Sequence, residues 1–476
     1  MTDWSHGYDV STEYSFGFYR EMAPDWLDLC AWIGGFDPAQ RTSSFRYLDL
    51  GCGQGFGVCL LAAANPEAQF VGIDFQPEHI AHAQGLAEAA GLSNVRFVQA
   101  DFLDLAQDWP SDLGKFEYVV LHGILSWVSP RLREAVVTCL DHGTAPGGLV
   151  YVSYNANPGC LSTIPLQHLS RRIKETTDKQ GADAVEESLS LLDRLSDANA
   201  PVFQVLPALK ARVDALKGRD RNYLAHEYLT DSWSPFWHSE VAGQFRRANL
   251  DFVASATMGD NLVTEFLPPP LHQAVVEQGS AELRQDLQDC IINQAFRRDI
   301  YCRGAVPRGS RSTASMEALP VYLAAAIDGA SPLSFTTSFG QVSWEPAIFA
   351  PTVEALRAGP RSLAELFRIP NRSAWKPRHI LLLLLHANIL APQASGGRDV
   401  AASHRLNSAI ARAAAEGAPY EYLAAARLGS AIRASQSELT LLDALLKSNG
   451  SPGTSSSANA FATDTLHRWR QLGVVQ

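Results

Sequence analysis

The amino-acid sequence predicts an α/β protein built on a Rossmann-like, doubly wound sheet. Three observations support this prediction. Short apolar strands alternate with helical segments over the first 160 residues, a glycine-rich loop follows the first strand, and an acidic residue follows each of the next two strands. Parallel strands require crossover connections, which are usually helices, so this alternation indicates a parallel sheet with helices on both faces.

The elements of the sheet are justified in chain order by apolar runs that end at turn or polar residues. Strands are predicted at 46–50, 69–74, 95–99, 118–122 and 149–154, and helices at 58–64, 77–90 and 130–141. A charged helical insertion follows, and a helix at 235–248 with strands at 251–257 and 299–303 completes the sheet. We therefore divide this part into an aromatic-rich N-terminal lid at 1–45, a core at 46–160, an insertion at 161–230 and a completion of the sheet at 231–304.

The chain beyond a Gly, Pro and Ser-containing linker at 305–315 is predicted to form a separate, mostly helical region at 316–476. A hairpin at 333–344, turning at Gly340, precedes helices at 352–357, 362–367 and 377–390, an arrangement that resembles a winged-helix unit. Further helices are expected at 411–434 and 439–447. A flexible loop at 449–459 then precedes a last helix.

Length and charge limit the class of protein. The chain has 476 residues, 46% of them hydrophobic, and 39 Lys and Arg against 50 Asp and Glu, a net charge of -11. This acidity argues against a general affinity for nucleic acid or anionic membranes. The start lacks a signal-peptide pattern and no apolar run is long enough to span a bilayer. Seven scattered cysteines without a C-x-x-C pair are typical of reduced thiols, so we expect a cytoplasmic protein that does not associate with membranes.

The glycine loop reads Asp49-x-Gly51-x-Gly53-x-Gly55 directly after a strand and before a helix. Glycines allow a tight turn and close approach of a ligand, and the helix N-terminus offers free N–H groups. A dinucleotide fingerprint, G-x-G-x-x-G, requires glycine at the sixth position. Neither register of this loop provides one, so the dinucleotide alternative is disfavoured.

Acidic residues after the second and third strands indicate a nucleoside ligand. Asp74 ends the second strand, where a carboxylate can accept both ribose hydroxyls. Asp101 follows the third strand and is placed to bond an adenine amino group, with Phe102 covering the ring; Phe75 is assigned to the same site. Each acid taken singly is also typical of a helix cap. Together they mark the carboxyl edge of a parallel sheet, where ligands bind.

These motifs resemble those of the class I S-adenosylmethionine-dependent methyltransferases, over 47–155. The resemblance implies that S-adenosylmethionine is the cofactor. By position, Gly51, Gly53 and Gly55 would line its methionine and ribose part. Asp74 would hold the ribose hydroxyls, Asp101 the adenine edge, and Asp49 the methionine amino group.

A narrower resemblance comes from the segments Leu121-His122-Gly123-Ile124-Leu125-Ser126-Trp127-Val128 and, after the fifth strand, Tyr154-Asn155-Ala156-Asn157-Pro158-Gly159. Both are similar to a bacterial group in which a methyltransferase core is joined to a C-terminal regulatory region. That group includes the rickettsial protein-lysine methyltransferases. The resemblance implies a protein acceptor, and Cys160 stands where those proteins often have Trp.

Several acceptor classes lack their motifs after the fourth strand. Amino-methyltransferases of nucleic acids need an (Asn/Asp)-Pro-Pro-aromatic turn, and C5-cytosine enzymes a Pro-Cys nucleophile, where this chain has His122-Gly123-Ile124-Leu125. The clustered acids of metal-dependent catechol enzymes are also missing there. His226, Glu227 and His238 match no H-E-x-x-H pattern, so no metal site is predicted.

Two acceptor hypotheses remain open. A lysine must lose its proton before attack, which burial among aromatic and Tyr side chains promotes; the candidates are Trp127 and the tyrosines Tyr8, Tyr14, Tyr19 and Tyr154. A sugar or other small hydroxyl acceptor would instead use His122 as a general base. We assign catalytic roles to His122, Trp127 and Tyr14, and place His122 against the cofactor as well. A scaffold that binds the nucleoside without turnover is a third hypothesis.

The C-terminal region carries six basic residues and one acid between Arg357 and Arg378. Such a balance is compatible with contacts to nucleic acid. The overall acidity favours a solvated face on an interaction or dimerisation module, which is compatible with a homodimer.

Overall fold

The computed structural model describes residues 16–37, 43–308, 317–327, 329–370, 374–394, 399–447 and 456–475, without the side chains of residues 222, 226 and 456–462. Tyr8, Tyr14, most of the linker at 305–315 and the start of the loop at 449–459 lie outside the described residues. The predictions made for them therefore stay predictions.

A seven-stranded sheet forms the centre of the chain. Its strands are β1 (Arg46–Leu50), β2 (Gln69–Asp74), β3 (Val95–Gln99), β4 (Phe116–Leu121), β5 (Thr144–Asn155), β6 (Leu250–Ser255) and β7 (Phe296–Arg303), in the spatial order β3-β2-β1-β4-β5-β7-β6. The first five strands are parallel, whereas β7 runs antiparallel to both β5 and β6. The predicted doubly wound sheet is confirmed.

Residues of β1 contribute to both faces of this sheet, because successive side chains of a strand point to opposite sides. Tyr47 is buried with α1 (Pro24–Ile33), α2 (Phe56–Ala64) and α3 (Pro77–Ala89). Leu48 and Leu50 are buried on the other face. That face is covered by α4 (Phe102–Gln107), α5 (Pro130–Gly143) and, from later in the chain, the helix at His238–Arg246.

The insertion between β5 and β6 is helical, as the sequence predicts. It contains α6 (Ile164–Thr176), α7 (Gly181–Asp197), α8 (Val202–Val205), α9 (Pro207–Leu216) and α10 (Arg221–Leu229). Leu166, Val185, Leu209 and Leu224 form a small core of their own there. The helix at His238–Arg246 is α11, and α12 (Val263–Phe266), α13 (Pro269–Val276) and α14 (Ala281–Ile292) precede β7.

The C-terminal region combines helices with short antiparallel strands. Its elements are β8 (Pro320–Leu323), β9 (Leu333–Thr337), β10 (Gly340–Trp344), α15 (Pro346–Arg357), β11 (Arg361–Ser362), α16 (Leu363–Phe367), α17 (Pro377–His386), β12 (Leu390–Pro392), α18 (Ala401–Ala415), β13 (Tyr422–Ala425), β14 (Ser430–Arg433), α19 (Gln436–Lys447) and α20 (Ser456–Leu472). The hairpin β9–β10 has the predicted position. Strand β8 lies between β11 and β12, and the next described element after β12 is a helix, unlike the strand pair that closes a winged-helix unit.

Two helices predicted in this region are wrong in extent. The helix predicted at 377–390 ends at His386, because Asn388 takes a left-handed backbone with φ of 61° and Leu390, in β12, pairs with Leu323 of β8. The helix predicted at 411–434 is α18 only as far as Ala415. Gly417, at φ 105°, stops it, and the following alanine-rich stretch pairs as the hairpin β13–β14. No helix in the described ranges is long and apolar enough to cross a bilayer.

Candidate active site

The glycine loop turns at the carboxyl end of β1, between β2 and β4. Gly51, Gly53 and Gly55 have φ of 86°, 53° and 69°, which residues with a side chain rarely adopt. The backbone N–H groups of Gly51 and Cys52 donate to the carbonyl of Ile73 in β2, at 2.8 and 2.9 Å. The loop is therefore fixed against the neighbouring strand, and α2 begins directly after it.

Asp74 connects the loop with the end of β2. Its carboxylate accepts hydrogen bonds from the backbone N–H of Gly53 at 2.9 Å and of Gln76 at 3.0 Å, and His79 Nδ1 lies 3.2 Å from it. These bonds keep the carboxylate in place at the edge of the sheet. A carboxylate has about four acceptor positions, so Asp74 retains capacity for further donors.

A cleft of about 750 Å³ lies along the ends of β1, β2, β3 and β4, and we call it the Asp74 cleft. Of the predicted site residues it is lined by Gly51, Gly53, Asp74, Phe75, Asp101, Phe102 and His122. Asp101 also caps α4, because its side chain accepts a bond from Leu103 N–H at 2.7 Å. Asp101 therefore caps a helix and lines the cleft at the same time.

A second cleft of about 610 Å³, the Asp49 cleft, lies on the other side of the glycine loop. The two clefts share Gly51, Gly53 and His122. A Cβ on Gly51 would come within 2.4 Å of Ile124 Cδ1, so glycine keeps the passage beside the loop free. Gly55 and Phe18 also line the Asp49 cleft.

Asp49 is a buried acid that forms no ion pair with any of the described residues. Only 5% of it is exposed, and it accepts no hydrogen bond from the described residues. Burial and, to a smaller degree, the charge of Asp74 raise the pKa of Asp49 to about 8. A ligand with a cationic ammonium or sulfonium group would provide the missing positive charge, so the Asp49 cleft fits the methionine end of S-adenosylmethionine.

His122 lies between both clefts, directly after β4. Its Nδ1 is 2.9 Å from the Tyr151 hydroxyl and 3.0 Å from Ser153 Oγ, and its ring stacks on Tyr19 with centroids 3.8 Å apart. Burial, together with the nearby positive charge of Arg298, lowers the pKa of His122 to about 3. The imidazole is therefore neutral at physiological pH and a weak proton acceptor.

Tyr151 and Ser153 were missed by the sequence reasoning, although a signal was present. They are two residues apart on β5 and so share a face of the sheet. Because Leu121 pairs with Val152, that face places both side chains beside the residue that follows β4. The strand alignment, rather than any motif, identifies them as partners of His122.

A third and larger cleft, of about 1780 Å³, lies between the sheet and the C-terminal region. It meets the Asp49 cleft at Phe18 and Tyr19, which line both. Burial raises the pKa of Tyr19, so its hydroxyl stays protonated. We call this space the arginine cleft, because four arginines line it: Arg20, Arg298, Arg433 and Arg468.

Other predicted site residues lie elsewhere. Trp127 is half-buried in the turn after β4 and lines none of the three clefts as the described residues define them. The Tyr154 hydroxyl donates to Asp299 Oδ2 at 2.6 Å in a buried network with His238. Tyr14 lies outside the described residues.

The metal-ligating residue types do not assemble in the described part of the chain: it has no group of three or more His, Cys, Asp or Glu side chains arranged to hold an ion. His238 Nδ1 lies 3.0 Å from Asp299 Oδ2, and burial raises the pKa of Glu227 to about 7. Neither residue lines one of the three clefts.

A doubly wound sheet with a glycine loop after β1 and an acid at the end of β2 is typical of the class I S-adenosylmethionine-dependent methyltransferases. Residues 41–186 match the family model of a methyltransferase domain, and residues 220–303 that of a "Predicted methyltransferase regulatory domain". The protein sll1526 of Synechocystis is 33% identical over 365 residues, which are 76% of this chain and 71% of that protein. The chain belongs to this family of methyltransferases with a regulatory domain.

A solved structure shares the fold of the chain, and a shorter relative matches part of its sequence. The chain resembles PKMT2 from Rickettsia typhi with a TM-score of 0.69 and 16% identity, over 97% of this chain and 99% of that one, which shows a shared fold. PKMT2 has also been solved in complex with AdoHcy, and that structure matches equally well. A tRNA (guanine-N(7)-)-methyltransferase of Rubrobacter xylanophilus is 47% identical over 108 residues, 21% of this chain and 47% of that protein.

The family model of the regulatory domain matches a different part of the chain from the one that the sequence analysis predicted to be regulatory. It covers 220–303, which contains β6 and β7 of the central sheet, whereas regulation was expected at 316–476. A regulatory or substrate-recognition role for 316–476 stays a prediction.

Proposed function

We propose that this enzyme transfers a methyl group to an amine of a protein side chain, a lysine in the first instance. The observation that carries the proposal is the pair Tyr19 and His122, stacked where the Asp49 cleft meets the arginine cleft. Both rings are neutral, so this point of the site provides no strong base and no charge that would repel an uncharged amine.

S-adenosylmethionine, when bound, supplies a methyl group activated by the sulfonium. We propose that the Asp74 cleft takes its adenosine part, with Asp74 accepting from the ribose hydroxyls and Asp101 from the adenine amino group. Phe75 and Phe102 would cover the base. Gly51, Gly53 and Gly55 would allow the backbone to approach the ligand.

Asp49 would hold the ammonium of the methionine part. Its carboxylate is only 5% exposed, so a cationic partner there is worth more than in water. His122 would shape the passage between the clefts, held in one orientation by Tyr151 and Ser153. These roles orient the reacting groups, which is the main task in a direct displacement.

An amine acceptor agrees with the electrostatics better than a hydroxyl acceptor. A hydroxyl needs a base whose pKa lies near the working pH, and the pKa of His122, about 3, is far below that range. An amine needs only to lose its proton before it reaches the site. Burial around His122 and Tyr19 favours that loss, since a buried site disfavours the charged form of an amine.

The proposal is tested by incubating the purified protein with methyl-labelled S-adenosylmethionine and an extract of its own host, then separating the products at a size cutoff. Label retained with protein is the expected result. Label in the small-molecule fraction would contradict the proposal and favour a sugar or other metabolite. Cofactor binding without formation of S-adenosylhomocysteine would indicate a non-catalytic scaffold instead.

A further inference from the structure

The arginine cleft carries an excess of positive charge. Four arginines and two glutamates, Glu21 and Glu438, line it. The chain as a whole has a net charge of -11, so the charge of this cleft is opposite to that of the molecule. A cleft of this sign, joined to the reaction site at Tyr19, selects for the charge of what enters it.

Three of the four arginines have a carboxylate neighbour. Glu21 lies 3.9 Å from Arg20, Glu438 accepts from Arg468 at 3.2 Å, and Glu421, outside the cleft lining, accepts from Arg433 at 2.8 Å. Arg298 has no carboxylate within 4 Å among the described residues, and its guanidinium lies over Phe296, 4.9 Å from the ring centroid. Within the part of the chain that the structure describes, Arg298 is therefore a half-buried cation without an anionic partner.

Arginine N–H groups without acceptors also indicate that the cleft binds an anionic group. The Nε atoms of Arg20, Arg298 and Arg468 are buried and donate to no atom of the described residues. Burial lowers the pKa of Arg20 to about 10, although the nearby charge of Glu21 partly offsets this effect. Buried guanidinium N–H groups without acceptors are costly, and carboxylates are the acceptors that fit their planar geometry.

We propose that the arginine cleft recognises carboxylate groups of the methyl acceptor, so that the acceptor is an acidic protein segment in which Glu or Asp flanks the methylated residue. This inference rests on the proposed function. Carboxylates on either side would contact Arg298 and Arg468 while the amine reaches Tyr19. Arg298 lines the arginine cleft and not the Asp49 cleft, which separates it from the methionine end of the cofactor.

Binding of labelled peptides tests this inference independently of turnover. The probes are two fluorescein-labelled peptides with one central lysine, flanked by glutamates in one and by glutamines in the other, and anisotropy is measured with S-adenosylhomocysteine present. We expect the glutamate peptide to bind at least about tenfold more tightly. Equal affinities for the two peptides would overturn the inference, even if host proteins become methylated.

Substitutions of single arginines test which residues cause the preference for the glutamate peptide. Arg298→Gln and Arg468→Gln should each remove most of the preference for glutamate, whereas Arg412→Gln, at an exposed arginine outside the cleft, should keep it. Arg298→Lys keeps the charge and tests the guanidinium geometry if Arg298→Gln fails to fold. If Arg298→Gln weakens cofactor binding and leaves the peptide preference unchanged, Arg298 serves the cofactor and the inference is wrong.

Competition with citrate shows whether the carboxylates that the cleft binds belong to a protein segment or to a free small acid. We expect citrate to displace the glutamate peptide only at much higher concentration than an unlabelled glutamate peptide does. Tighter binding of citrate would overturn the protein source and assign the cleft to a free small acid. Binding of the glutamate peptide as expected, with no methylation of any protein, would contradict the proposed function and leave the recognition of carboxylates supported.

Discussion

At the scale of single residues, the site is set by groups whose ionisation is shifted by burial. Asp49 and His122 are the clearest cases, and their pKa values move in directions that each favour the neutral form. One of them is expected to bind a cation and the other to remain uncharged. Both expectations are testable by pH.

Replacing Asp49 by Asn should weaken cofactor binding and stabilise the free protein above pH 7. The pKa of Asp49 is about 8 in the folded chain and about 3.9 when unfolded. The folded state therefore holds a proton that the unfolded state has released, so wild-type stability falls as pH rises from about 4 to about 8. Asn removes this loss. Urea unfolding and cofactor titration at pH 5 and pH 8 measure the two effects.

Asp112→Asn is the matched control, because Asp112 is exposed and only forms a surface ion pair with Arg96. It should change neither cofactor affinity nor the difference in stability between pH 5 and pH 8, since the Arg96 guanidinium lowers the pKa of Asp112 and the carboxylate stays ionised in that range. Unchanged cofactor affinity in Asp49→Asn would remove Asp49 from the binding site.

His122 should contribute no ionisation to the rate between pH 5 and pH 8, because its pKa of about 3 keeps it neutral there. We expect His122→Gln to lower kcat/KM for methyl transfer while the shape of the pH profile stays the same. The profile is measured with host acceptor protein for both forms. An inflection near pH 6.5 that disappears in the variant would show a general base and favour a hydroxyl acceptor.

At the scale of elements, the glycine loop depends on close packing of α2 against α3. A Cβ on Gly55 would lie 2.3 Å from Ala83 Cβ and 2.8 Å from Phe97, at a φ of 69°. Ala83 lies in α3 and Phe97 in β3, so making space for this Cβ would require one of these elements to shift. The loop after β1 is therefore fixed by sterics as well as by its hydrogen bonds.

Gly55→Ala should lower the free energy of unfolding by at least about 2 kcal/mol, from overpacking and the left-handed backbone. Gly85→Ala, in the middle of α3 with nothing within 4 Å of its Cβ position, should raise it by about 0.5–1 kcal/mol. Urea unfolding of both variants checks the pair. A Gly55→Ala protein as stable as wild type would contradict the packing described for the loop.

The elements that the sequence predicts well are those whose pattern is local. Each strand of the sheet was located by an apolar run, and the loop by its glycines. The hairpin β13–β14 was missed because its alanine-rich sequence favours a helix, and only pairing between strands overrides that preference. Tyr151 and Ser153 were missed because their relation to His122 depends on strand alignment. Whether Trp127 and Tyr14 act in catalysis stays a prediction.

At the scale of the whole molecule, the C-terminal region packs against the start of α2 and is linked to the glycine loop through His82. Tyr420 stacks on Phe56, the first residue of α2, with centroids 4.8 Å apart and an angle of 3°. Its hydroxyl lies 2.9 Å from His82 Nε2, and His82 Nδ1 lies 2.7 Å from the carbonyl of Gln54 within the glycine loop. The side chains of Tyr420 and His82 therefore connect the C-terminal region with the glycine loop.

Tyr420→Ala should lower the free energy of unfolding by about 3–5 kcal/mol, as for other buried aromatic residues, and should also weaken cofactor binding. Tyr223→Ala, at a tyrosine that is 47% exposed in the insertion, should change stability by no more than about 0.5 kcal/mol. Thermal unfolding with and without S-adenosylhomocysteine measures both. Normal cofactor affinity in Tyr420→Ala would mean that the C-terminal region supports the fold but not the loop.

The central claim, transfer to a protein amine, is tested most directly by the chemical stability of the label on methylated host protein. The labelled protein is treated with mild alkali, and the part that remains is hydrolysed to amino acids. We predict that the label survives alkali and is recovered as N-methylated lysine. Release of the label as methanol would show a carboxyl methyl ester and contradict the claim.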